Sequence, residues 1–342
     1  MGPRRVLLVA LVLVLAVVVV GGVLLWGRVS SFNAQVSSRG TLSSALWGPL
    51  GGEERVNVLM VGYSGDPKHG GTYLADSINV LSVDPKAGAT TLIPIPRDLW
   101  IQGLSEMPNN GKVNEAFADG WDNGGWQNAG ALEAEVLSKV TGLRIDHFLS
   151  IDFAGFASVV DAVGGITINN PTAFKYTWSE PNYTKKKWTG GAFKKGTLHL
   201  TGTQALDYAR NRYTSVLKES SDFARSVRQE RVLSALRDKL GTGIGSLGPG
   251  LAVMDALKGH LHTDLSAFDL FLLSGHMNID RRLALEEDVA LKAGRNDAGS
   301  YILFPVGADT LGDYGPLQEY ISTELAKPIP SPSPTPSPTP AS

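Results

Sequence analysis

Four short segments carry charged side chains in patterns that suit chemistry on a phosphate. Ile95-Pro96-Arg97-Asp98 closes an apolar run, and Pro96 cannot continue a central ladder, so Arg97 and Asp98 are delivered at a sheet edge. Asp76 heads the neighbouring run, so Asp76 and Asp98 can together hold one hard cation such as Mg2+, with Arg97 beside them for an anion. Tyr208-Ala-Arg210-Asn-Arg212 sets two guanidinium groups at i and i+2, on one face if the segment is extended. Paired forks of this kind match phosphate oxygens. In Asp222-Phe-Ala-Arg225-Ser-Val-Arg228-Gln229, a helix places Asp222, Arg225 and Gln229 within an arc of about 60°, with Arg228 beside it. Lys112 and Asn114 follow an Asn/Gly-rich loop and add a cation and an amide. Each segment alone also fits a solvated ion pair; together they suit a phosphate-bearing anion held by arginines beside a cation.

Other features point less directly. Phe174 to Thr197 carries six Lys against one Glu, with Phe174, Tyr176, Trp178, Tyr183, Trp188 and Phe193 among them. This suits stacking on sugars or an irregular hairpin with a solvated tip. The six His form no metal motif, and His260 and His262 read as surface residues. No nucleophile elbow, Walker loop or dinucleotide fingerprint is present.

These side chains need a scaffold, and the apolar pattern supplies one. Val56 to Gly62, Asp76 to Val83 and Ala89 to Ile95 read as buried strands, the last two joined by an Asp84-Pro85-Lys-Ala-Gly88 turn. His147 to Ile151 and Ile166 to Asn169 read as further strands. Ala129 to Val140, Phe153 to Val163, Gly202 to Tyr208 and Asp222 to Leu240 read as helices. Interleaved strands and helices without a long linker imply one α/β domain in a helix–sheet–helix arrangement over residues 53–326.

The chain has 342 residues, 43% hydrophobic and 19% charged, with 31 basic and 33 acidic residues for a net charge of −2. That balance disfavours a nucleic-acid binder, and the absence of Cys excludes thiolate chemistry and disulfides. Val6 to Trp26 is wholly apolar or Gly, long enough to span a hydrocarbon layer of about 30 Å. Arg4 and Arg5 before it orient residues 1–5 to the cytoplasm, residues 6–26 as an anchor and the remainder outside. Residues 27–52 read as a juxtamembrane linker, so folding is expected to begin near Glu53. Residues 327–342, rich in Pro, Ser and Thr, read as an extended tail.

The ordered motifs resemble the LytR-CpsA-Psr family of cell-wall glycopolymer ligases. They are Asp76-Ser77-Ile78, Ile95 to Asp98, Lys112-Val113-Asn114, Asp152-Phe153-Ala154-Gly155-Phe156 with Val160 to Gly165, Leu200 to Arg212, and Asp222 to Gln229. The resemblance implies an extracytoplasmic, membrane-anchored α/β enzyme with a mixed central β-sheet sandwiched between helices and one N-terminal transmembrane helix. It implies transfer of a glycopolymer from a polyprenyl diphosphate to a peptidoglycan hydroxyl as a phosphodiester, with Mg2+ or Mn2+. By carry-over, Asp76 and Asp98 are metal ligands and Arg97, Lys112, Arg210, Arg212, Arg225, Arg228 and Gln229 the diphosphate clamp. Asp98, Arg97 and Asp222 are the catalytic candidates. Leu74 stands where the family often has Arg, and Leu99-Trp100 where Thr or Ser is common. The polymer, whether teichoic acid, capsule or arabinogalactan, is left open. So are two alternatives, a polyprenyl-diphosphate phosphatase using water and a non-catalytic cell-wall regulator or binder.

Overall fold

The computed structural model describes residues 22–41, 54–65, 73–178, 188–243, 247–276 and 279–329. The chain opens with helix α1 (residues 22–36), then strands β1 (Val56–Tyr63), β2 (Ala75–Asp84), β3 (Ala89–Ile95), β4 (Trp100–Ile101) and β5 (Gly111–Lys112). Helices α2 (Val113–Asp122) and α3 (Gly125–Thr141) lead to β6 (His147–Asp152), α4 (Phe153–Ala162) and β7 (Ile166–Asn170). Next come β8 (Phe174–Thr177), β9 (Gly191–Phe193), β10 (Gly196–Leu200), α5 (Gly202–Arg210) and β11 (Tyr213–Thr214). Helices α6 (Asp222–Gly243) and α7 (Leu247–Leu257) precede β12 (Leu261–Thr263) and α8 (Ala267–Ser274). The remainder is β13 (Arg281–Arg282), β14 (Leu291–Arg295), β15 (Tyr301–Pro305) and α9 (Gly315–Ala326).

Six strands form the main sheet in the order β12-β6-β1-β2-β3-β13. β1 runs parallel to β6 and β3 parallel to β13, while the other neighbours are antiparallel, so the sheet is mixed. The β2–β3 hairpin has its expected turn, with Asp84 Oδ1 accepting from the Lys86 and Ala87 amides, both at 3.1 Å. Alternation along each strand divides the side chains between two faces. Leu59, Val61, Ile78, Val80, Ile93 and Ile95 meet Val136, Leu137 and Val140 of α3 and Leu317 and Ile321 of α9. Val58, Leu81, Val83 and Leu92 meet Leu273 of α8 on the other face. Because helices cover both faces, the strands read as nearly continuous apolar runs. A further core joins α4 through Val160, α5 through Tyr208, α6 through Val232 and α7 through Val253. That unit positions the second half of the site.

Three expectations change, and one, the anchor, falls largely outside the described residues. The apolar run 6–26 lies outside the described residues except for 22–26, which are helical, and no described helix is long and apolar enough to cross a membrane. The segment expected to be linker instead carries α1, whose Phe32 and Val36 are buried against Leu261. Low periodicity hid this helix, because only two of its apolar side chains meet the core. A chain beginning at Glu53 is expected to lose about 3–6 kcal/mol of stability, read as a fall in Tm against the full chain. The histidines are not plain surface residues: His260 Nδ1 lies 2.9 Å from Asp152 Oδ2, and His262 stacks on Trp126 at 5.1 Å. Of the Lys/aromatic segment, Phe174, Tyr176 and Phe193 are buried and stack together, so they serve the core. Tyr183 and Lys185 to Lys187 lie outside the described residues.

One buried group costs stability. Glu133 on α3 has no exposed surface, and neither carboxylate oxygen finds a donor at good geometry. Burial raises its pKa well above the ordinary 4.5, eased only by the Phe117 backbone. The folded chain therefore holds a proton that the unfolded chain releases. Its contribution is complete below 4.5 and is lost as pH rises through the raised value. Glu133→Gln is expected to add about 1–3 kcal/mol above neutral pH and little in acid, measured by denaturant melts across pH.

Candidate active site

The site lies at one end of the sheet. In the β1–β2 pairing Gly62 faces Ser77 and Tyr63 faces Ala75, which leaves Asp76 as the extra residue of a bulge. A bulge frees its residue from the ladder and re-aims its side chain. On the adjoining strand β3 ends at Ile95, and the chain turns with the Leu99 amide donating to Pro96 O at 3.0 Å. That turn brings Arg97 against Asp76, with Arg97 Nη1 donating to Oδ1 at 3.1 Å. Arg97 Nε stands 3.5 Å from Asp98 Oδ2. Asp98 Oδ1 accepts from Lys112 Nζ, and Asp98 is only 5% exposed. Asp76, Arg97, Asp98 and Lys112 thus form a row of alternating charge.

The second wall comes from α5 and α6. Thr201 and Gln204 close a capping box at the start of α5. Gly202 lets the helix approach α4, since a Cβ there would stand 2.0 Å from Ala157 O. Arg210 ends α5, and Asn211 leaves the helix at φ −64°, ψ 134°. The two arginines therefore straddle a helix end, and the expectation of one extended segment is corrected. Arg210 is stacked with its Cζ 3.9 Å above the centre of the Phe153 ring. Burial lowers its pKa from the usual guanidinium value, opposed by Asp76 and Asp207. Arg225 and Gln229, one turn apart on α6, complete the wall.

Between these walls is a cavity of about 490 Å3, lined by Asp76, Arg97, Arg210, Arg212, Arg225 and Gln229, with Thr177, Trp178 and Tyr213. Four guanidinium groups against one carboxylate make it a site for a multiply charged anion. A smaller hollow of about 50 Å3 extends past Arg97 to Asp98. Most of the residues singled out by sequence converge here, and two take different places. Arg228 is fully buried, and its guanidinium donates to Tyr208 O at 2.9 Å, Glu219 O at 2.7 Å, Glu219 Oε2 at 3.2 Å and Asn211 O. It braces the end of α5 instead of lining the cavity. Lys112 is absent from the lining of both hollows and is bound to Asp98. Asp222 opens α6, and its side chain lies outside the described residues. Sequence reasoning missed Thr177, Tyr213 and the Phe153 platform. Trp178 was visible only as part of the aromatic segment.

A mixed sheet covered by helices on both faces, with an arginine-lined cavity at one end, defines an α/β domain with a concentrated positive charge. The chain belongs to the LytR_cpsA_psr family, whose family model matches residues 31–303. A polyisoprenyl-teichoic acid–peptidoglycan teichoic acid transferase TagU from Enterococcus faecalis is 29% identical over 268 residues, 77% of this chain and 78% of that protein. The protein of the same name from Bacillus cereus is 27% identical over 251 residues, 73% of each. The crystal structure of Bacillus subtilis TagV shares the fold with a TM-score of 0.57 at 23% identity, covering 80% of this chain and 96% of that one.

Proposed function

We propose that this chain is a membrane-anchored, extracytoplasmic transferase that moves a glycopolymer from a polyprenyl diphosphate to a peptidoglycan hydroxyl. The convergence of Arg97, Arg210, Arg212 and Arg225 on one cavity carries the reading. The similarity to named teichoic acid transferases supports the donor and acceptor classes. In the step, the acceptor oxygen bonds to the phosphorus that bears the glycan, and the bond from that phosphorus to the bridging oxygen breaks. Polyprenyl phosphate leaves and the acceptor proton passes to solvent or a carboxylate. Such transfer needs charge neutralisation and positioning more than a protein nucleophile, which matches a cavity of fixed guanidinium groups. Arg97 and Arg210 grip the diphosphate, and Asp76 and Asp98 hold Arg97 in place.

A divalent ion fits the donor set. No cluster of three or more carboxylate or imidazole ligands occurs among the described residues. Mg2+, or Mn2+ in its place, commonly takes one or two carboxylates and draws its other ligands from phosphate and water. Asp76 and Asp98, which both line the smaller hollow, would supply those two by exchanging part of their present contacts with Arg97 and Lys112 for the ion. The ion would add charge neutralisation on the transferred phosphoryl group. Asp76→Asn is expected to weaken Mn2+ binding about tenfold or more, seen by paramagnetic broadening without turnover. The activity itself is tested with full-length protein, a polyprenyl-diphosphate oligosaccharide and peptidoglycan fragments, with products read by mass. An acceptor adduct supports transfer, and release of glycan phosphate alone would instead make the protein a phosphatase.

A further inference from the structure

We propose that the cavity edge of the sheet faces the lipid bilayer, and that α1 is a docked stalk holding it there at a fixed height. This rests on the membrane-anchor reading above. α1 is helical through Trp26, the last residue of the apolar run, and is not a loose tether. Phe32 is 4% and Val36 0% exposed. The Asn33 side chain accepts from the Ala267 amide at 2.8 Å and donates to Arg39 O at 2.5 Å. Arg28 pairs with Asp255, and Ser37 bridges to Thr263.

These contacts fix the direction of the helix. Its amino end lies by Asp255 and its carboxyl end by Thr263. β12 is antiparallel to β6, with Leu261 opposite Ile151 and Thr263 opposite Leu149. The amino end of α1 therefore points off the sheet where β6 finishes at Asp152. Asp152 sits beside Tyr63, and Tyr63 beside Ala75, the neighbour of Asp76. The described end of the apolar run, residues 22–26, thus leaves the domain at the end of the sheet that carries the cavity. From Trp26 to Phe32 the helix rises about 9 Å at 1.5 Å per residue, comparable with a headgroup layer of about 5–7 Å. A carrier diphosphate at the bilayer surface then meets the end of the sheet that carries the arginines. Side chains near the cavity suit that interface. Trp178 on its wall is 51% exposed, and Leu217, four residues beyond Tyr213, is 84% exposed beside exposed Lys218.

The absence of Cys makes single-site labelling direct. Full-length Leu217→Cys and Ala87→Cys, the latter in the β2–β3 turn at the opposite end, are labelled with a fluorophore in phosphatidylcholine–phosphatidylglycerol vesicles containing a headgroup quencher. The label at position 217 is expected to be quenched and that at position 87 not. A flexible Gly/Ser insert between Gly27 and Arg28 is expected to remove the difference. It should lower transfer from a vesicle-borne donor about tenfold while sparing a short-chain soluble donor. Equal quenching at the two positions, or unchanged vesicle transfer with the insert, overturns the proposal. Failure of the full chain to float with vesicles overturns the anchor reading and this proposal with it. Flotation with equal quenching overturns this proposal alone.

Discussion

Arg210→Ala is expected to lower kcat/KM for transfer roughly 100- to 1,000-fold with the fold intact. The guanidinium is stacked on Phe153, and its Coulomb partners are Asp76 and Asp207. It is therefore held in place before any anion arrives, and a fixed charge in a partly water-excluded site is worth more than a solvated one. Its removal leaves Asp76 to repel the incoming phosphate. Arg210→Lys should recover little, because an ammonium neither stacks on Phe153 as a planar group nor offers a bidentate fork. Steady-state kinetics with a thermal melt distinguishes the cases. Normal kinetics in Arg210→Ala would remove this residue from the clamp.

Arg228→Ala is expected to act in the opposite way, through stability. Its loss leaves Glu219 facing a buried space and strips donors from the carbonyls of Tyr208 and Asn211. Breaking a buried pair by deleting one partner costs about 3–5 kcal/mol. The melting temperature should fall sharply. Activity should fall with it and return in part on cooling, because those carbonyls end α5 and so set where Arg210 and Arg212 emerge. Arg228→Lys should not rescue, since one ammonium cannot reach four acceptors spread over two segments. A stable Arg228→Ala protein that fails only to bind donor would return Arg228 to the cavity.

These two arginines show what was legible in the sequence. Both lie in motifs rich in arginine, and the family resemblance implied the same clamp role for both. Arg225 and Gln229 share a helix face and do line the cavity, whereas Arg228 turns inward because Glu219 and the carboxyl end of α5 offer it acceptors. Such acceptors come from other elements, which no local pattern reveals. The central strands were readable because burial on both faces left long apolar runs. The bulge at Asp76 was not, because it depends on the register between two strands. Lys112 was assigned to the diphosphate; in the structure its ammonium donates to Asp98, a pairing of residues fourteen apart across a loop. Helix α1 was missed because Phe32, Val36 and Asn33 dock through contacts to residues more than two hundred positions away.

The most direct test of the central claim is titration of full-length protein with a soluble short-chain prenyl diphosphate, followed by calorimetry, for the native chain and for Arg212→Ala. One site per chain, weakened at least tenfold in the variant and increasingly weak with added salt, is the predicted result. Equal affinity in the two proteins would show that the diphosphate binds elsewhere, and the arginine cavity would lose its assigned role.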